Sequence, residues 1–174
     1  AFHIRDAQDN LVLYSKQKSF KLKEDISLYD DEAMTTQLLH ITTQSILDIA
    51  GSYAVKDATN GELIGAIKRR GLSSTFVRDE WLLLDPAGQE IGRITEDAMW
   101  KSLLRRFVDL MALLLPQAYH VTMDGQEVGI MKQRFNLFLY KLDIDFSKDT
   151  HDRLDPRLGL AAAVLLAAIE GKQS

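Results

Sequence analysis

Leu158-Gly-Leu-Ala-Ala-Ala-Val-Leu-Leu-Ala-Ala-Ile169 runs for twelve residues without a charged or polar side chain. Asp155-Pro156 just before it has the form of a helix start, with Asp as N-cap and Pro in the first turn. Gly171 suits the C-cap, which sets the helix at 156–170. A helix that is apolar on every face must be enclosed on every face. At about 1.5 Å per residue it spans roughly 18 Å, well short of the ~30 Å core of a bilayer. The stretch therefore predicts a buried central helix, not a membrane span. Ala161-Ala162-Ala163 and Ala167-Ala168 keep that helix thin, as a wall of strands closing around it would require.

The chain before it supplies the wall. One phrase recurs: an aromatic strand start, an Asp at the strand end, a Gly or Asn turn, then a second strand. Phe2-His-Ile-Arg-Asp6 leads through Asp9-Asn10 to Leu11-Val-Leu-Tyr14, and Tyr53-Ala-Val-Lys-Asp57 through Asn60-Gly61 to Leu63-Ile-Gly-Ala-Ile67. Trp81-Leu-Leu-Leu-Asp85 leads through Gly88 to Ile91-Gly-Arg-Ile94, and Tyr119-His-Val-Thr-Met-Asp124 through Gly125 to Val128-Gly-Ile130. Asn-Gly and Asp-Gly are strong hairpin signals because both turn residues must accept φ > 0. The second Gly of each pair, at 65, 92 and 129, suits a bulge or a close approach inside a barrel.

Further strands are expected at Phe20–Lys23, Ile26–Tyr29, Gln37–Thr42, Ile46–Ile49, Thr75–Arg78 and Phe135–Phe146. The total is about a dozen, the number at which a sheet closes or splits. From Glu96 to Leu115 the rhythm changes to a helical period with a narrow charged stripe, with Thr95 as N-cap and Pro116 as stop. Packing against the sheet is one reading of this amphipathic helix. An in-plane membrane helix is the other, with Trp100 at the interface and Arg105 and Arg106 on lipid phosphates. Asp97 and Asp109 dilute its positive face and favour packing.

Composition bounds the class. With 174 residues, 46% hydrophobic and 26% charged, the chain is expected to be one soluble domain over 1–174. A net charge of −4 argues against a nucleic-acid binder held by phosphate neutralisation. With no cysteine there is no disulfide and no thiolate site, which fits a cytoplasmic location. No secretory or transit segment is visible, although the chain starts at Ala1 and a trimmed segment upstream stays open.

A closed antiparallel barrel of about twelve strands, threaded by a hydrophobic C-terminal helix, resembles the tubby-like fold of tubby domains, phospholipid scramblases and LURP-one-related proteins. The aromatic-x-x-x-Asp…Gly…Ile-Gly-x-Ile hairpins are similar to the scramblase and LURP-one-related branch. So is the order Lys132-Gln-Arg-Phe-Asn136, last strand, acidic connector, terminal helix. The likeness covers Phe2 to Gly171 and carries no catalytic signature. It implies contact with lipid or phosphoinositide, calcium-linked in the scramblases, in a group whose bacterial and plant members mostly lack an assigned function.

The residues offer two candidate sites. Lys68-Arg69-Arg70 ends a hairpin strand and, with Arg105 and Arg106, forms the candidate anion or headgroup site. Alternating Lys at 16, 18, 21 and 23 reads equally as edge protection. Asp143, Asp145 and Asp149, spaced with Ser147 like early positions of a calcium loop, form the candidate calcium site, which also resembles the acidic stretch proposed for calcium in scramblases. Lys148 stands where such a loop needs Gly, and Leu154 where it needs Glu, so a solvated strand face fits the same residues. His3, His40, His120 and His151 are scattered singly, and no nucleophile, base and acid share a local motif. The expectation is a non-enzymatic module without a cofactor, calcium excepted. It binds phosphoinositide or other anionic phospholipid headgroups reversibly, peripheral to the membrane and without a transmembrane span. The alternative is a protein-interaction scaffold or stress-response module with no lipid role.

Overall fold

A computed structural model of the protein describes residues 1–16, 25–43, 51–70, 80–97, 117–134, 136 and 140–170. The strands are β1 (Phe2–Arg5), β2 (Leu11–Ser15), β3 (Ile26–Tyr29), β4 (Gln37–Thr42), β5 (Ser52–Asp57) and β6 (Leu63–Arg69). They continue as β7 (Glu80–Leu84), β8 (Glu90–Glu96), β9 (Ala118–Met123), β10 (Gln126–Arg134) and β11 (Lys141–Asp145), and then comes α1 (Pro156–Glu170). The eleven strands among the described residues belong to one sheet in chain order, each antiparallel to the next. Consecutive antiparallel pairing sorts the connections. The β1–β2, β3–β4, β5–β6, β7–β8 and β9–β10 turns and the exit of β11 share one end, here called the turn rim; the remaining connections leave from the opposite rim.

α1 is the inside of this sheet. Residues 161–166 are all buried, and at about 100° per residue six positions sweep more than a full turn. Leu158, Leu165 and Leu166 are each 1% exposed, and burial of each such side chain contributes about 1.5–3 kcal/mol. Contacts with α1 come from β4, β6 and β11, so the sheet curls round it. The register Arg69↔Trp81↔Ile94↔Val121↔Gly129 runs across five strands, and the last four of these residues are buried. Asp155 caps the helix as expected: its carboxylate accepts Arg157 N–H at 2.8 Å, and its carbonyl accepts Gly159 N–H at 3.1 Å.

The hairpin template is a bulge device. In each copy one residue of the second strand has no partner: Val12, Ile64, Ile91 and Val128. β3–β4 is a fifth copy, with Leu38 extra, hidden in the sequence because its turn at 30–36 carries neither Gly nor Asn. Asp124 and Gly125 both have positive φ, as their two-residue hairpin requires. The second glycines are close approaches: a Cβ at Gly129 would lie 2.8 Å from Asp145 O and also strike Phe146.

One boundary is corrected. Thr95 is not a helix cap: it and Glu96 belong to β8, paired with Glu80 on one side and with His120 and Tyr119 on the other. Their β-branched and aromatic neighbours extend the ladder past the point where the helical period begins. Asp97 likewise donates its N–H to the Ala118 carbonyl at 2.9 Å. The expected helix from 98 to 115 lies outside the described residues, as do Phe20–Lys23, Ile46–Ile49, Thr75–Arg78, 135, 137–139 and Gly171.

Candidate functional site

The basic run ends β6 on the opposite rim. Neighbouring strand residues face opposite ways, so Lys68 and Arg69 cannot point together. Arg69 turns inward at the sheet's end, its Cζ 5.5 Å from the centroid of the buried Trp81 ring, a cation–π contact. Tyr53 completes this corner, with its ring 6.5 Å from that of Trp81. Burial pushes the Tyr53 phenol pKa up, and the Arg69 charge partly offsets the rise. Arg70 is exposed and donates to Glu80 through its side chain at 2.8 Å and its backbone at 2.9 Å. The structure thus gathers the three at one rim and aims them apart. Arg105 and Arg106 lie outside the described residues.

The acidic run is dispersed in a similar way. Asp143 faces solvent on β11, 2.7 Å from Arg134 Nη2. Asp145 accepts the Ser147 N–H at 2.9 Å, and this turn holds its carboxyl below the usual range. Asp149 accepts the Leu154 N–H at 2.8 Å with the same effect on its carboxyl. Among the described residues no three His, Asp or Glu side chains gather as a metal-binding group. In this structure the run builds a strand face and the connector that turns the chain toward α1.

Three clusters were not legible in local motifs. The first joins α1 to β5: Arg157 donates to Asp155 and, at 2.8 Å, to Asp57, with Glu62 at 3.8 Å. The carboxyls of Asp155 and Asp57 are held low, mainly by Arg157 and by Thr59 respectively. The second sits on the sheet's outer face. His120 Nδ1 lies 2.8 Å from Glu127, His120 Nε2 is 3.8 Å from Asp97, and Lys148 of the connector pairs with Glu127. Lys148 first and His120 second hold the Glu127 carboxyl below its usual range. The third is an open cleft of about 690 Å³ lined by Glu80, Glu90, Arg93, Thr95, Thr122 and Asp124. There Arg93 is already engaged by Glu90 at 2.9 Å and Glu80 at 3.2 Å.

The other histidines have structural company. His3 lies edge-on to Tyr14 at 5.1 Å and 3.4 Å from Glu32, and His40 is 3.4 Å from Asp25. Thr150 Oγ1 and His151 Nδ1 are 3.0 Å apart, but both are exposed neighbours on the connector, outside the cleft. A hydroxyl–imidazole contact in open water has neither the oriented third group nor the enclosure that nucleophilic catalysis uses.

Compared with models of known protein families, with curated proteins and with solved structures, the chain gives no match. Among the described residues no helix is long and apolar enough to cross a membrane.

Proposed function

We propose that this chain is a non-enzymatic binding module of the tubby-like, scramblase-related kind. In this reading its sheet closes into a barrel around α1, and the protein works in the cytoplasm, docking reversibly on anionic phospholipid headgroups. The burial of α1 on every side supports the barrel. The observation that carries the binding reading is the corner at the end of β6. Arg69 is steadied by Trp81 and Arg70 by Glu80, so two cations are already ordered at one rim before any ligand arrives, with Lys68 on the other face of β6. Ordering charged side chains in advance lowers the entropic cost of binding a phosphate. Arg105 and Arg106, the other candidate contacts from the sequence, lie outside the described residues.

Pelleting with phosphatidylserine-containing vesicles tests the reading. Binding should fall as salt rises, because screening at 0.1 M reaches about 10 Å. A Lys68→Ala, Arg70→Ala variant should bind about 25-fold more weakly, at about 1 kcal/mol for each charge near the surface. No binding at low salt would overturn the lipid reading and favour a protein-interaction scaffold. Thermal unfolding separates the ligands, since whatever prefers the folded state raises Tm. A rise with inositol phosphates supports the headgroup site, and a rise with calcium alone points to Asp143, Asp145 and Asp149.

A further inference from the structure

The β5–β6 turn is organised around Asp57. Its Oδ1 accepts the Thr59 N–H at 2.8 Å, and its Oδ2 accepts Arg157 Nη1 at 2.8 Å. The Asp57 carbonyl accepts the Gly61 N–H at 2.9 Å, and the Asp57 N–H donates to the Glu62 carbonyl at 2.9 Å. Asn60 adds a further bond, its side-chain oxygen accepting the Glu62 N–H at 2.8 Å. Asn60 and Gly61 are both exposed, and Gly61 takes a left-handed φ of 77°.

The same pair carries a covalent chemistry that the hairpin does not use. Of the three asparagines, at 10, 60 and 136, only Asn60 precedes a glycine. With no Cβ on residue 61, the backbone nitrogen is unscreened from the side-chain amide beside it. That nitrogen can bond to Asn60 Cγ while the Cγ–Nδ2 bond breaks, and ammonia leaves with the proton the nitrogen gives up. Water then opens the five-membered imide at either carbonyl, which leaves aspartate or isoaspartate at position 60. In the folded turn both reacting groups are committed elsewhere, the Gly61 N–H to Asp57 and the Asn60 oxygen to Glu62. The ring closes only after those two bonds open.

We infer that Asn60 is a deamidation site gated by the Arg157–Asp57 clasp, reacting when the clasp releases the turn. Arg157 reaches Asp57 from the first turn of α1, so the lock on the reaction is the contact that joins the central helix to the end of β5. Conversion also works against relocking. Asp57, Glu62 and Asp155 already share the Arg157 cation, and the product adds a fourth carboxylate to the group. Isoaspartate further lengthens the main chain by one methylene, which disturbs the spacing of the Gly61-to-Asp57 bond.

Peptide mapping by mass spectrometry follows residue 60 while the full chain is held at neutral pH and physiological temperature, with an isoaspartyl methyltransferase marking isoaspartate. The free peptide 57–62 sets the ungated rate. Wild type should convert many-fold more slowly than the peptide, because a closed turn reacts only through its open fraction. Arg157→Met should convert several-fold faster than wild type. Val128→Ala, which opens a cavity at a buried β10 residue and leaves the clasp intact, should convert at the wild-type rate. Conversion of wild type at the peptide rate, or equal rates in wild type and Arg157→Met, overturns the gate. Equal acceleration in Val128→Ala and Arg157→Met assigns the reaction to the globally unfolded chain and overturns it as well.

Discussion

Arg157 ties the first turn of α1 to a strand end one hundred positions earlier, and it does so with a guanidinium shared between Asp155 and Asp57. Replacing it with Met leaves both carboxylates without their cation while keeping an apolar stem. Tm should fall by about 2–6 °C, the range for a partly exposed charge-assisted pair in a chain of this size. The effect should depend on pH with a definite sign. The Asp155 carboxyl is depressed in the folded state, so its stabilisation is complete above the ordinary value of 3.8 and is lost as pH falls through the lower folded value. Melts from pH 7 to pH 2 should show wild type and Arg157→Met converging below about pH 4. A constant gap at every pH would mean that packing by the Arg stem, not charge, does the stabilising. A second residue-scale test is Gly159→Ala. Ala is favoured over Gly in a helix by about 1 kcal/mol, but the new Cβ would stand 2.8 Å from the Phe146 ring and 3.1 Å from Leu154. Overpacking costs about 1–3 kcal/mol, so Gly159→Ala should melt lower than wild type, and adding Phe146→Leu should recover most of the loss. A higher Tm for the single variant would contradict the close approach.

At the scale of elements, α1 was legible because nothing competes with its pattern: twelve apolar residues, a capping Asp and a Pro allow one reading. Four hairpins were legible because an Asp followed by a Gly or Asn turn is a local signal. The fifth was not, since its turn at 30–36 has neither Gly nor Asn and places Met34 at positive φ. The start assigned to the amphipathic helix failed for a related reason. Thr95 and Glu96 are good helix-start residues by type, yet they sit where a ladder with His120 and Tyr119 outweighs a local cap. The Arg157 and His120 clusters were out of reach of spacing arguments, because their members converge only after β5, β10 and the connector are assembled. The same holds for the basic run: Lys68-Arg69-Arg70 is contiguous in sequence, but strand alternation separates its members. Leu165→Asp tests the central element. A carboxylate there would be desolvated without a cation, at a cost comparable to the whole 5–15 kcal/mol of an ordinary domain. The variant should lack a cooperative melt and near-UV signal, while Leu165→Met should melt within a few degrees of wild type. A Leu165→Asp protein with a normal melt would remove α1 from the core.

For the whole molecule, one construction rule produces both stability and surface. Antiparallel order puts five bulged hairpins at one end, each bulge increases the local twist, and the twisted sheet curls until a thin helix fills it. The same order collects the turn carboxylates into one rim, a grouping that could not be read before the strand order was known. In such an arrangement α1 has no independent stability. Among the described residues, the apolar surface of α1 is covered by the sheet, and α1 is the element that covers the sheet's inner face. Native-state hydrogen exchange of the α1 amides measures this directly. The prediction is that residues 161–168 exchange only through global unfolding, with the same free energy and denaturant dependence as the β9 and β10 amides. Exchange of α1 at a clearly lower free energy than β9 and β10 would contradict it, and would make the helix a surface attachment to a sheet that stands without it.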